Sequence, residues 1–143
     1  MAGVAWPIVV VQLAKSAIDL GIVISDSERS LAFYRDLLGF EHVADTPMPI
    51  AGGGTMHRIM CGDTLLKLVK LNKDPDGDGR GGIGASTGLR YFTMIVSNLA
   101  EIVAKCDAAG VPQAVPVTEV RPGVTIAMVE DPDGNWVEFV QMS

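Results

Sequence analysis

The chain has 143 residues, with 11 Lys and Arg against 17 Asp and Glu, for a net charge of −6. That length suits one domain with its own core, and the acidic balance argues against a sequence-independent nucleic-acid binder, which needs a basic face to displace counterions from phosphate. With 48% hydrophobic and 20% charged residues the composition excludes intrinsic disorder, and no apolar run approaches the roughly 20 residues that cross a bilayer.

Residues 1–16 match nothing later in the chain. Trp6-Pro7 ahead of Ile8-Val9-Val10-Val11 predicts an extended arm or extra strand, with Pro7 at its start where a missing N–H is tolerated. An apolar arm needs a surface to pack on, and a partner subunit would supply one. The same stretch lacks the basic start of a signal peptide. Cys61 and Cys106 form no CxxC motif and read as reduced thiols, so the protein is expected to be cytoplasmic.

Residues 18–25 predict a strand rich in Ile and Val. Ser25-Asp26-Ser27-Glu28 supplies helix-start chemistry, and Leu31, Tyr34, Leu37 and Leu38 recur at helical spacing up to a terminating Gly39. A short strand over residues 40–44 follows, with His42 read as surface. Pro47, Pro49 and Gly52-Gly53-Gly54 then read as a loop, a candidate flap without the lysine of a phosphate-binding loop. Residues 56–61 and 64–70 predict two strands around a Gly62-Asp63 hairpin turn. Alternation sets Met56, Arg58 and Met60 on one face, and His57, Ile59 and Cys61 on the other.

Residues 72–88 break every period, and their six glycines predict a flexible connector. Asp74-Pro75-Asp76-Gly77-Asp78-Gly79 imitates the start of a calcium loop, but position twelve is Ala85 instead of Glu. The pattern then resumes. Residues 89–96 predict a strand. Leu99, Ile102, Val103 and Cys106 mark a helix closed by Gly110, and residues 111–117 read as strand or loop. Residues 124–129 and 136–140 predict strands around an Asp131-Pro132-Asp133-Gly134-Asn135 turn.

The chain is therefore a repeat. Ser25 and Asp26 align with Ser97 and Asn98 at an offset of 72 residues, and Lys67 aligns with Glu138 at 71. The expected fold class is α+β: one domain over residues 17–143, built of two tandem βαβββ modules (17–71 and 89–143) joined by the connector. The modules form a curved mixed sheet with helices on the outer face and a cleft on the concave face.

The segments GIVISDSERSLAFYRDLLGFEHVAD and EDPDGNWVEFVQ resemble the opening module and the last hairpin of the vicinal oxygen chelate superfamily. That family includes glyoxalase I, extradiol dioxygenases, methylmalonyl-CoA epimerase, and the fosfomycin- and bleomycin-resistance proteins. The resemblance covers residues 17–143 and implies a small-molecule ligand, with neither a nucleic acid nor a membrane as partner, and a homodimer. It also implies metal ligands on the first and last strand of each module, commonly His, Glu or Gln, His and Glu. Those positions hold Asp19, Lys67, Tyr91 and Glu138, and only Glu138 matches outright.

Lysine at neutral pH offers no lone pair and repels a cation. The expectation is a site without metal or other cofactor, in which Asp19 and Glu138 flank and neutralise Lys67. A bare salt-bridge cluster would satisfy the same pattern. The candidate catalytic residues are Lys67, Glu138, Tyr91 and His57, with Asp19, Trp136 and Arg58 as candidate substrate contacts. The leading functional expectation is an isomerase or lyase acting by proton transfer. The first alternative is a non-catalytic binder like the bleomycin-resistance proteins. The second is a metal-dependent enzyme with shifted ligands, Glu138, Asp19 and His57.

Overall fold

The computed structural model describes Gly3, Ala5 and residues 8–143. Its elements follow the predicted repeat. Strand β1 (Leu20–Val23) leads into helix α1 (Ser27–Leu31), which continues as a π-helical turn over Ala32–Leu37. Strands β2 (Glu41–Met48), β3 (Gly54–Cys61) and β4 (Thr64–Leu71) complete the first module. The second contains β5 (Tyr91–Ile95), α2 (Leu99–Ala108), β6 (Gln113–Arg121), β7 (Val124–Glu130) and β8 (Trp136–Met142). Each module folds into a four-stranded mixed sheet, in the orders β1-β4-β3-β2 and β5-β8-β7-β6. The α+β expectation of two βαβββ units holds. No helix among the described residues is long and apolar enough to cross a membrane.

Alternation along the strands divides each sheet into an inner and an outer face. Leu66 and Leu68 of β4, Ile59 of β3, and Val137 and Phe139 of β8 are buried toward the helices, with Tyr34, Val103 and Cys106 in the same core. Burial raises the pKa of the Cys61 and Cys106 thiols, which holds them in the protonated form.

The two modules meet at a buried polar contact. Tyr34 donates its hydroxyl to Asp131 Oδ2 at 2.6 Å, and its ring stacks on Phe92 at 6.4 Å. Asp131 also accepts from the backbone N–H groups of Asp133 and Asn135 and from Asn135 Nδ2, each at 2.9 Å. The turn that follows β7 is thus fastened to the first module's helix. Ser25 adds bonds from its backbone N–H and its hydroxyl to Asp133.

Several local expectations are corrected. Residues 8–11 form no strand, and Ile8 is 99% exposed. Trp6 and Pro7 lie outside the described residues. Strand β2 runs on through Pro47, because β2 is an edge strand, where a residue without an N–H is tolerated. Gly52-Gly53-Gly54 closes the β2–β3 hairpin and is tied down: Asn72 donates its backbone N–H to Gly53 O at 3.0 Å and its Nδ2 to Gly52 O at 3.2 Å. The connector is also anchored. The Arg90 guanidinium donates to the carbonyls of Gly82 and Gly79 at 2.9 Å. Gly82, with φ +67°, lies so close to Trp136 that a Cβ would come within 2.1 Å of the indole ring.

Two predictions follow from this packing. Burial, and next the Asp131 charge, push the Tyr34 phenol well above the ordinary value of 10.0. A group with a raised folded pKa contributes stability that is full below its unfolded pKa and is lost as pH rises through the folded one. Stability should therefore fall above about pH 10, with one of the two tyrosines ionising only as the chain unfolds. Phenolate absorbance measured beside far-UV circular dichroism checks this. Tyr34→Phe should remove the delayed step and lower stability in urea by about 1–3 kcal/mol, because Asp131 loses a buried donor. Gly82→Ala should lower stability by roughly 1–3 kcal/mol and shift Trp136 fluorescence, because overpacking dislodges the connector.

Candidate functional site

The face of each sheet turned away from the helices carries the side chains that alternate out of the core. Gly21 of β1 pairs with Lys67 of β4, and Lys67 pairs with Arg58 of β3. Lys67 is half-buried between Leu65 and Val69, which are both buried on the same face. Arg58 donates Nε–H to Thr46 Oγ1 at 3.2 Å. In the second sheet Tyr91 pairs with Trp136 and Thr93 with Glu138. Thr93 donates its hydroxyl to Glu138 Oε1 at 2.6 Å, and Tyr91 is 49% exposed. A cavity of about 190 Å³ separates the β1 and β5 edges and is lined by Gly21, Val23, Tyr91 and Trp136 among others. The Trp136 indole N–H is buried and has no hydrogen-bond partner among the described residues.

The expected neutralisation of Lys67 does not form. Asp19 pairs instead with Lys15 at 2.5 Å, four residues earlier. That bond is the main reason the Asp19 carboxyl lies below its usual 3.8, with the Lys67 charge a smaller contribution. Glu138 is engaged by Thr93. Among the described residues Lys67 closes no ion pair within 4.0 Å. The faces turned away from the helices thus carry two neighbouring cations on the β3–β4 pair of the first sheet and a carboxylate on β8 of the second.

His57 is elsewhere. It pairs with Leu68 on the helix-covered face of β3, opposite to Arg58 and Lys67. The shifted ligand set of His57, Asp19 and Glu138 is therefore not assembled, because the thickness of the sheet separates the imidazole from the carboxylates. His57 Nδ1–H donates to Asp45 Oδ1 at 2.7 Å, and in that tautomer Nε2 accepts from the Ser27 hydroxyl at 2.9 Å. His42 Nε2 stands 2.5 Å from the same Asp45 oxygen. His42, Asp45 and Ser27 were not legible as partners of His57. Strict alternation sends residues 42 and 45 to opposite faces, whereas a β-bulge between His42 and Ala44 returns them to one.

A larger cavity of about 530 Å³ lies between the connector and the start of α1, lined by Asp74, Asp76, Asp78 and Asp133 together with Arg80. Lys70 pairs with Asp74 at 2.8 Å and Arg80 with Asp78 at 3.7 Å, so its carboxylates are partly matched by cations.

The four positions where the resemblance implies a metal do not fit one. Lys67 sits among apolar neighbours where a donor atom is required, and Tyr91 stands in place of an imidazole. An ammonium among the four opposes a divalent ion by charge and supplies no lone pair.

Comparison with known proteins agrees with the fold. The chain is 26% identical over 121 residues to an uncharacterized protein, YwkD, of Bacillus subtilis (strain 168), a match spanning 85% of this chain and 92% of that one. A glyoxalase family protein from Bacillus cereus superposes with a TM-score of 0.77 at 11% identity, over 92% of this chain and 95% of that one. Lactoylglutathione lyase from Agrobacterium tumefaciens superposes with a TM-score of 0.62 at 22% identity, over 87% and 91% of the two chains. The model of the Glyoxalase/Bleomycin resistance protein/Dioxygenase superfamily matches residues 16–139, nearly the whole chain, and the protein belongs to that superfamily.

Proposed function

We propose that the concave face binds a small, oxygen-rich anion and acts on it without a metal, as an isomerase or lyase working by proton transfer. The observation that carries this reading is the cross-strand pair of Arg58 and Lys67, with no carboxylate of the described residues within 4.0 Å of Lys67. Like charges opposite one another in a sheet repel, and a bound carboxylate or similar anion relieves that repulsion through charge-assisted hydrogen bonds.

The roles follow from the residue types. Arg58 anchors the anionic group. The Lys67 ammonium donates to a carbonyl oxygen of the substrate. The Glu138 carboxylate, held by Thr93, takes the proton from the carbon next to that carbonyl. The electron pair of the broken C–H bond moves onto the oxygen, giving an enolate that Lys67 stabilises. In a substrate with a hydroxyl on that carbon, the hydroxyl proton moves to the enolate oxygen while Glu138 delivers its proton to the former carbonyl carbon, so the carbonyl and hydroxyl exchange places and the isomerisation is complete. Tyr91 and Trp136 shape the mouth of the site. The printed name of the Agrobacterium tumefaciens neighbour, lactoylglutathione lyase, is in keeping with lyase or isomerase chemistry on this fold.

A second reading, a binder without catalysis, is favoured by the openness of the site, since Tyr91 is 49% exposed. Two measurements separate the readings. A thermal-shift screen of small hydroxy- and keto-carboxylates should find ligands that stabilise the wild type, by about 2.7 kcal/mol at 100 times Kd, and not Lys67→Met. NMR should then show solvent deuterium entering the bound ligand beside its carbonyl, and Glu138→Gln should keep binding while stopping exchange. Binding without exchange leaves the binder. Stabilisation unaffected by Lys67→Met sinks the placement of the site.

The exposed apolar arm supports a homodimer in which residues 8–13 pack on a second copy. Light scattering on the full chain should give a dimer, and deletion of residues 1–16 should give a monomer.

A further inference from the structure

The helix-covered face of the first sheet carries a cluster that the proposed reaction does not use. We propose that His42, Asp45 and His57 form a binding site for a divalent ion of the zinc type, with Ser27 orienting the His57 ring. The three donor atoms all lie within 4.8 Å of one another. His42 Nε2 and His57 Nδ1 converge on a single oxygen, Asp45 Oδ1, at 2.5 and 2.7 Å. The rings meet edge to face at 84°, 5.8 Å between centroids, so their nitrogens point to one place instead of stacking.

Bonds from zinc to nitrogen and oxygen are about 2.0–2.2 Å, which sets tetrahedral donors roughly 3.3–3.5 Å apart. To admit the ion, the Asp45 oxygen has to withdraw by less than about 1 Å and the ring nitrogens, which lie within 4.8 Å of one another, have to take up the same spacing. Its side chain is 51% exposed and free to do so, while the His57 side chain, 9% exposed, stays fixed against the sheet. The exposed side of Asp45 leaves the fourth position to water.

The donor set selects the metal. Two imidazole nitrogens and one carboxylate oxygen suit zinc and its neighbours, whereas magnesium and calcium favour oxygen throughout. The ion takes the place of the N–H protons now directed at Asp45. His57 then carries its proton on Nε2 and donates it to Ser27 Oγ, 2.9 Å away, since a hydroxyl serves as donor or acceptor. This outer-shell bond fixes the ligating tautomer. The β-bulge between His42 and Ala44 is the backbone device that brings His42 and Asp45 to the same face. The neighbouring Arg58 projects to the opposite face, so the site is separate from the cleft.

The test uses the full-length protein, stripped of metal by dialysis against a chelator. It is titrated with Zn²⁺ in competition with a chromophoric chelator, and with Co²⁺ followed by visible absorption. The expected result is one ion per chain, intense tetrahedral Co²⁺ bands, and shifts of the His42 and His57 ring resonances. Affinity should drop by more than ~100-fold in His42→Ala and by about 10-fold in Ser27→Ala, the first exceeding what an outer-shell partner costs. Circular dichroism confirms that these variants are folded, and the ring resonances of the wild type give a readout that needs no variant. Lys67→Met and Glu138→Gln should leave zinc affinity unchanged. No zinc binding in the wild type overturns the proposal. So does binding that survives His42→Ala, or binding that is lost in Glu138→Gln, which would place the ion in the cleft.

Discussion

The hydrogen bond from Tyr34 to Asp131 joins the two halves of the molecule, and the site depends on it. A carboxylate buried to 3% exposure is costly unless its oxygens are satisfied. Here it accepts from a phenol of the first module and from three donors in its own turn. The turn between β7 and β8 is thereby closed and fixed to the first helix in one step. Strand β8 starts from that turn, so the positions of Trp136 and Glu138 relative to β1 follow from it. The π-helical turn contributes by burying both Phe33 and Tyr34, whose rings meet edge to face at 4.8 Å.

Strand β3 presents two separate groups of polar side chains because its residues alternate. Arg58 joins Lys67 over the cleft, while His57 joins Asp45 and Ser27 beneath the helix. The two groups are consecutive in sequence yet separated by the sheet. A substitution at one therefore reports on its own face, provided the strand register is kept. Of the positions where the resemblance implies metal ligands, one holds a lysine among apolar neighbours, and another holds Glu138, the residue type the resemblance implies, bonded to a threonine. On the proposed reading, the lysine puts an ammonium where the resemblance implies a ligand to a Lewis acid, which suits ligands that carry negative charge.

Much of the architecture was legible because it repeats. The near-constant offset between Ser25 and Ser97 and between Lys67 and Glu138 reflects strands that must present the same faces twice. The helix start was legible too: Asp26 accepts from the Arg29 N–H at 3.0 Å as an N-cap. The failures are as local as the successes. Pro47 read as a loop residue because its edge position depends on sheet order. Residues 72–88 read as flexible because nothing in their composition shows that Arg90 reaches back to hold their carbonyls.

By itself the sequence determined the superfamily and the two-module plan, and by resemblance it set Asp19, Lys67 and Tyr91 where metal ligands are implied. These depend on residue identity and on periods of two and 3.6, which are properties of the chain alone. Only the tertiary structure decided who partners whom. Asp19 turned to Lys15 and left Lys67 beside Arg58, because a salt bridge goes to the nearest opposite charge in space. His42 and Asp45 came to His57 because one extra residue in β2 reset the alternation, and the register of a strand is settled by its partner.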